Sequence, residues 1–400
     1  MNRRDRSNRV VVVGAGVIGA WTALELARRG HAVTLIDAYG VASSLASSGG
    51  ETRLTRSAHA RDTHYPRWQR RSLVAWKALE QAAGRRLFLD AGVLWFAHRD
   101  DGFEADALRT LPALDIPVER LAPDEVGRRF PGIAVDGLAW ALFEPEAGVL
   151  LARRGVRAVV DAAEERGVEM RIGRVEAPAG DGDRLGQVRL AAGEVVGADA
   201  FVFACGSWLP KLVADAPITP TRQEVVFIAP PPGDDRFHIG PMPGWVDYDA
   251  AFYGLGSVER RGFKIAPDSP GEIVDPDSQS RVLTEPWIDA ARGFVRERFP
   301  SLAAQPVSEG RVCQYEATPD SHFLIDRHPA WSNAWVVGGG SGHGFKHGPV
   351  IGEFVAAQVV GDTETVAALA PPDNRFAFGP RQPSTDSGLR TSGSPAHRHR

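Results

Sequence analysis

Cysteine is almost absent from this chain: Cys205 and Cys313 are the only two in 400 residues. Two thiols exclude a disulfide framework and a cysteine-rich zinc site, and no other metal-ligand set stands out. Long hydrophobic runs are missing too; no stretch approaches the ~18 uninterrupted apolar residues of a membrane span. Charge of one sign does not accumulate either. The formal net charge is -4, with Lys, Arg, Asp and Glu mixed along the chain, which argues against both a nucleic-acid surface and an acidic-membrane surface. The basic residues 1–9 lead into a strand and a glycine turn, not a signal core with a cleavage site, so an unprocessed cytoplasmic enzyme is expected. No internal repeat is visible.

What is present is ordinary globular composition, 43% hydrophobic and 24% charged, in a chain long enough for two packed domains. Residues 9–13 form a β-branched run typical of a buried parallel strand. A helix is expected over 20–29, with Ala20, Ala23, Leu24 and Ala27 at helical spacing and Gly30 as its stop. A second strand, 31–36, ends in Asp37. Residues 41–55 read as an ordered loop, and 63–83 as a long helix carrying Trp68, Leu73, Trp76 and Leu79. Strands at 92–97 and 138–143 flank a helical stretch. A helix over 151–167 and strands at 168–172, 187–190 and 201–204 follow. The aromatic and proline-rich segment 221–267 suits an antiparallel sheet, and 285–299 a helix. A strand at 334–337, a glycine-rich loop and a helix over 349–360 precede a tail from about 381 whose composition predicts disorder.

Gly14-Ala15-Gly16-Val17-Ile18-Gly19 sits between a strand and a helix, and Asp37 closes the next strand 23 positions after Gly14. That context gives a weak motif its force. Gly14 suits the tight turn, Gly16 lets the backbone approach a pyrophosphate, and Gly19 lets helix and strand pack. The helix start offers free N–H groups and a positive dipole end to phosphate, and Asp37 can accept from ribose hydroxyls. A dinucleotide cofactor follows, but the fingerprint does not choose between FAD and NAD. The second loop, Gly340-Ser341-Gly342-His343-Gly344 with Lys346, favours FAD. Its N–H groups and lysine suit the negative charge that a reduced flavin carries, a need that a nicotinamide enzyme lacks.

Further motifs accompany these: Gly50-Glu51-Thr52-Arg53 with Arg56, Phe203-Ala204-Cys205-Gly206-Ser207-Trp208, Phe252-Tyr253-Gly254, Gly262-Phe263-Lys264, Cys313-Gln314-Tyr315, Thr318-Pro319-Asp320 and Gly342-His343-Gly344-Phe345-Lys346. In combination they resemble the FAD-dependent D-amino-acid-oxidase superfamily, specifically its monomeric sarcosine oxidase and N-methyltryptophan oxidase group, over residues 10–360. The resemblance implies an α/β fold with an α+β second domain. A Rossmann-type FAD domain would comprise 1–84, 145–215 and 305–370; a mixed-sheet substrate domain would comprise 85–144 and 216–304. It implies a monomer that oxidises a secondary, N-methylated or cyclic amino acid to an imine and passes the electrons to oxygen as hydrogen peroxide.

The resemblance also assigns roles. Cys313 matches a cysteine joined to the flavin by a thioether; taken alone it reads as an inert buried thiol. Lys264 matches a lysine that activates oxygen; taken alone it reads as a surface strand lysine. Arg56 and Lys346 match the pair gripping the substrate carboxylate, with Tyr253 and Tyr315 lining that pocket, although such arginines also pair simply with nearby acids. Ser48, Thr52, Arg53, Val175, Gly206, Trp208 and His343 join the cofactor-binding set of the two glycine loops. The group has histidines at the positions of Asp268 and Gly49, and a small hydroxyl residue at that of Glu316. Asp268 suits a more basic or cyclic amine, or a proton acceptor, and Pro267-Asp268 resembles the pair in an oxidase of cyclic imino acids. Three alternatives stay open: an FAD dehydrogenase feeding a carrier, a non-catalytic flavin-binding accessory protein, and an NAD enzyme.

Overall fold

The computed structural model describes residues 8–180, 182–269 and 271–383. Its organising element is a six-stranded sheet in the order Leu324–Arg327, Ala334–Gly338, Ala200–Phe203, Arg9–Val13, Ala32–Asp37, Glu169–Ile172. All neighbours pair in parallel except the Leu324–Arg327 edge. Alternation along one strand explains how the sheet is covered. Val10 and Val12 pack into a core shared with the helices Val17–Arg28, Ala152–Glu164 and Gly348–Val360. Val11 and Val13 face a second core with Val188, Val196 and Trp331, so a β-ribbon covers the other side.

A second, eight-stranded sheet runs Val307–Ala317, Thr219–Ile228, Phe263–Pro267, Phe252–Leu255, Gly244–Asp247, Val93–Ala97, Trp140–Glu144, Glu119–Leu121. Its pairs are antiparallel apart from Gly244–Asp247 against Val93–Ala97. The helix Glu285–Arg298 covers one face, where Trp245 stacks on Phe263 at 5.8 Å and on Phe294 at 5.5 Å. The opposite face carries the polar residues that matter below. This mixed α/β architecture has the expected class.

Local departures have physical causes. The first helix starts at Val17, not at 20, because the fingerprint itself supplies its opening turn. Within the expected loop 41–55, Thr52–Thr55 is a strand paired with Gly148–Leu151; only four residues long and mostly polar, it has no periodic signature. Residues 98–138 hold two helices, Phe103–Thr110 and Pro123–Arg129, with the strand Glu119–Leu121 between them, because Pro112 and Pro123 break the helical pattern. The disorder expected from 381 onward falls mostly on 384–400, outside the described residues. Arg381 itself is held: its guanidinium donates to Asp320 at 3.0 Å and to the Ala377 carbonyl at 2.8 Å. No helix among the described residues is long and apolar enough to cross a membrane.

Candidate functional site

A cleft of about 1420 Å³, mouth included, runs along the C-terminal ends of the parallel strands. Gly14, Gly16, Val17, Ile18 and Asp37 line one part; Gly340, Gly342 and Gly344 line another. One cavity therefore receives both glycine loops, because strands Arg9–Val13 and Ala334–Gly338 are separated only by Ala200–Phe203. Gly14 has φ +104°, and a Cβ there would lie 2.3 Å from the Ala204 carbonyl oxygen, so only glycine makes this turn. Gly342 has φ +82° and would meet the Tyr315 ring at 2.8 Å. No side chain caps the first turn of the helix after Gly16, and no acid lies in it, which leaves its N–H groups and dipole facing the cleft.

Asp37 accepts from Ala15 N–H at 2.8 Å and Tyr39 N–H at 2.8 Å; burial nevertheless raises its carboxyl above the usual range. Ser48, Arg53, Val175, Gly206 and Trp208 also line the cleft. Ala15 contributes through that N–H, and Gly19 lies against the Gly14 carbonyl. Thr52 is set back, accepting from Lys264 Nζ at its carbonyl (3.2 Å) and hydroxyl (3.3 Å). The second loop differs from expectation in one respect. A 3-10 turn, Phe345–His347, intervenes before the helix, which begins at Gly348. Phe345 stacks on Trp76 at 5.6 Å and so locks that turn.

A second cavity of about 940 Å³ adjoins the cleft, sharing Arg53, Tyr315, Gly342 and Phe345. Strand alternation builds it: Arg311, Cys313 and Tyr315 on one strand, Gln223, Val225 and Phe227 on the next, and Lys264, Ala266 and Asp268 on and just beyond a third all point inward. Tyr253 adds its ring, with its hydroxyl 3.4 Å from that of Tyr315. Arg56, His343 and Lys346 complete the wall. All six expected catalytic positions thus meet in one place, and Cys313 stands where the two cavities join Arg53, its Sγ 4.0 Å from Nη2.

Electrostatics set this cavity apart. Lys264 is buried, not on a surface strand, and burial lowers its amine to about 7, with Arg53 adding to the effect. Lys346 is buried, donates to the His343 carbonyl at 3.0 Å, and is pushed well below the usual lysine range by burial and then by Arg56. Arg56 donates to the Ala58 carbonyl at 2.5 Å and to His59 Nε2 at 3.2 Å, and lies 5.0 Å from the Trp95 ring centre. The charge of Asp268 favours the protonated forms of both. Gly49 has no room for a side chain: a Cβ would lie 2.4 Å from the Ser43 carbonyl oxygen.

Two features escaped the sequence reading. Glu144 is buried behind Arg56 and accepts from Ser57 N–H at 2.6 Å, Ala58 N–H at 3.3 Å and Trp95 Nε1 at 2.8 Å. An acid at the end of the apolar run 140–143 was its only signal. The other is a cluster of His59, His343 and His347, whose ring nitrogens lie within 4.8 Å of one another. Such spacing can ligate a metal ion, contrary to the expectation of no ligand set. Yet Arg56 and Lys346 lower all three histidines after burial itself, and the same charges oppose a metal cation. Neutral, the rings pack around Tyr65 at 5.0–5.6 Å as a wall behind the cavity.

The family model described as DAO, FAD dependent oxidoreductase, matches residues 9–358. Monomeric sarcosine oxidase of Bacillus sp. (strain B-0618) is 32% identical over 368 residues, covering 89% of this chain and 93% of the relative. N-methyl-L-tryptophan oxidase of Salmonella dublin is 26% identical over 366 residues, covering 89% and 95%. The crystal structure of L-proline dehydrogenase from P. horikoshii superposes with a TM-score of 0.79 at 21% identity, covering 89% of this chain and 94% of that one. The uncapped first turn, the acid at the second strand end and the glycine cradle fit the cofactor in the family's description.

Proposed function

The chain belongs to the DAO family of FAD-dependent oxidoreductases, and from that premise we propose that it is an oxidase of a secondary, N-methylated or cyclic amino acid, working as a monomer and releasing hydrogen peroxide. One observation carries the reading: Lys264 and Lys346, both buried, and the half-buried Arg56 converge on a cavity that opens into the cofactor cleft. Buried cations facing a cavity favour an anionic ligand there, because the ligand supplies the charge that desolvation took away.

A bound flavin would supply two-electron redox chemistry, taking a hydride equivalent from the carbon next to the substrate nitrogen and passing the electrons to oxygen. The residues do the rest. Arg56 and Lys346 hold the substrate carboxylate, and two cations on one anion fix its orientation. Tyr253 and Tyr315 exclude water from the reacting carbon. Asp268 receives the amine side of the substrate, and its carboxylate suits a ring nitrogen or a second basic group. Protonated Lys264 supplies a positive charge for the oxygen-reducing half of the cycle, against the opposing effect of Arg53. Cys313, whose Sγ faces the cavity beside Arg53, would be the thiol that tethers the cofactor. Gly14, Gly16, Val17, Ile18 and Asp37 would hold the dinucleotide half, and Gly340, Gly342 and Gly344 the ring half.

The test is an amine panel with peroxide detection, combined with acid precipitation. Peroxide formed in step with a cyclic or N-methylated amino acid, and yellow colour that stays with the pellet but is lost in Cys313→Ala, are the expected results. Anaerobic bleaching by substrate without peroxide in air would replace the oxidase by a dehydrogenase. Absence of bleaching with every amine would point to a non-catalytic flavin protein.

A further inference from the structure

Glu316 is the penultimate residue of the long strand Val307–Ala317 and lines the wall of the cofactor cleft. The side chain is buried. Oε1 accepts from Gly340 N–H at 3.3 Å, whereas Oε2 is buried without a partner among the described residues. A Cβ placed on Gly206 would lie 2.7 Å from Oε2, and one on Gly340 2.8 Å from Oε1, so the carboxyl bridges the glycine turns that follow two neighbouring strands of the sheet. Among the described residues no donor reaches Oε2, and an orphaned carboxyl oxygen is destabilising unless a ligand satisfies it.

Resting on the reading that FAD fills the cleft, we propose that Glu316 hydrogen-bonds the hydroxylated chain that links the two halves of the cofactor. A phosphate is the wrong partner for the ionised acid, since two anions would repel, whereas a hydroxyl can bond either form of the carboxyl. The acid lines the same cleft as the helix start at Gly16 and directly follows Tyr315, which also lines the inner cavity, and a polyol is the part of FAD that joins a phosphate end to a ring end. The group's small hydroxyl residue at this position reaches less far than a glutamate.

Burial lifts the Glu316 carboxyl to about 7. The titratable groups on the elements packed around it are Cys205, whose thiol burial keeps protonated, Asp37, Arg53 and Tyr315. Arg53 is engaged with the carbonyls of Thr52 and Ser47. Protonated, Glu316 donates to a hydroxyl; ionised, it adds negative charge beside an anionic cofactor, and affinity falls.

The experiment uses the full chain in a Cys313→Ser background, where FAD exchanges freely. FAD dissociation constants are measured by fluorescence at pH 6 and 8.5 for this parent, Glu316→Gln and Glu316→Ala, with far-UV circular dichroism as the folding check. FAD analogues lacking single ribityl hydroxyls serve as the second probe. Loss of about tenfold to a hundredfold in Glu316→Ala is expected. The parent should weaken about tenfold by pH 8.5, and Glu316→Gln should match the parent at pH 6 with no pH dependence. One deoxy analogue should be penalised by the parent but not by Glu316→Ala. Equal FAD affinity in Glu316→Ala and parent, or a deoxy penalty identical in both, overturns the proposal. If Glu316→Ala fails to fold, a Glu316→Gln protein with the parent's pH dependence overturns it. A parent that binds no flavin at either pH overturns the FAD reading and this one together.

Discussion

The mouth of the cleft and the inner cavity use the same kinds of charged side chain to opposite ends. At the mouth, Asp277 accepts from Tyr39 at 2.9 Å, Trp208 at 2.8 Å, Arg174 at 3.0 Å and Lys211 at 2.5 Å. Partial burial opposes ionisation there, yet those donors hold the carboxyl well below its usual range. Inside, Arg56, Lys264 and Lys346 donate to carbonyls and neutral groups, and burial lowers every one of them. Ion pairs at the rim satisfy themselves and are screened by water. Arg56 and Lys346 in the interior feel the charges of Glu144 and Asp268 and, with Lys264, also face a cavity that an anion can enter. The contrast separates a region that holds its shape from one that waits for an anion.

The largest expected effect breaks the inner region. Lys264→Met should slow reaction of the reduced protein with oxygen by roughly 10²–10³-fold, the usual loss when one preorganised electrostatic group is removed. Stopped-flow mixing with oxygen measures it, and an unchanged rate would remove Lys264 from the oxidative step. Arg56→Met should raise KM for an amino-acid substrate by about tenfold to a hundredfold, as expected for a lost charge-assisted hydrogen bond. Amines without a carboxylate should lose little, and an equal loss for both classes would contradict the grip.

A pH series sharpens the comparison. Burial and Arg56 depress Lys346, so above its lowered pKa the free cavity holds a neutral amine. A bound carboxylate favours the cation and draws a proton in. Affinity for a non-reacting carboxylate should therefore be highest at low pH and fall up to tenfold per pH unit as pH rises. Flavin absorbance titrations at several pH values give the slope; a flat profile would mean that Lys346 does not titrate on binding. Glu144→Ala strips the acceptor from two backbone N–H groups and Trp95 behind Arg56, and should cost about 2–4 kcal/mol of stability. Thermal melts of the holoprotein check this. Asp277→Asn, at the rim, should cost under about 1 kcal/mol, and a change as large as that of Glu144→Ala would erase the distinction between the two regions.

Much of the site was legible because short-range chemistry announces it. The turn at Gly14 and the acid at Asp37 are spaced by one βαβ unit, whose geometry is local. The cavity-facing residues 264, 266 and 268 follow strand alternation once the strand is recognised. Glu144, His59 and His347 were not legible, since they come from three separate segments and acquire meaning only as neighbours of Arg56 and Lys346. The strand Thr52–Thr55 was missed for a similar reason: its order comes from pairing with Gly148–Leu151, about a hundred residues away.

The sequence by itself determined the βαβ unit, the alternating strands and the two glycine turns, all of which depend on backbone sterics and side-chain period within a few residues. Only the tertiary structure decided that both turns face one cleft, that three cations share one cavity, and that one carboxyl oxygen of Glu316 has no partner among the described residues. Burial and juxtaposition set the charge state of those groups, and both arise from segments far apart in the chain.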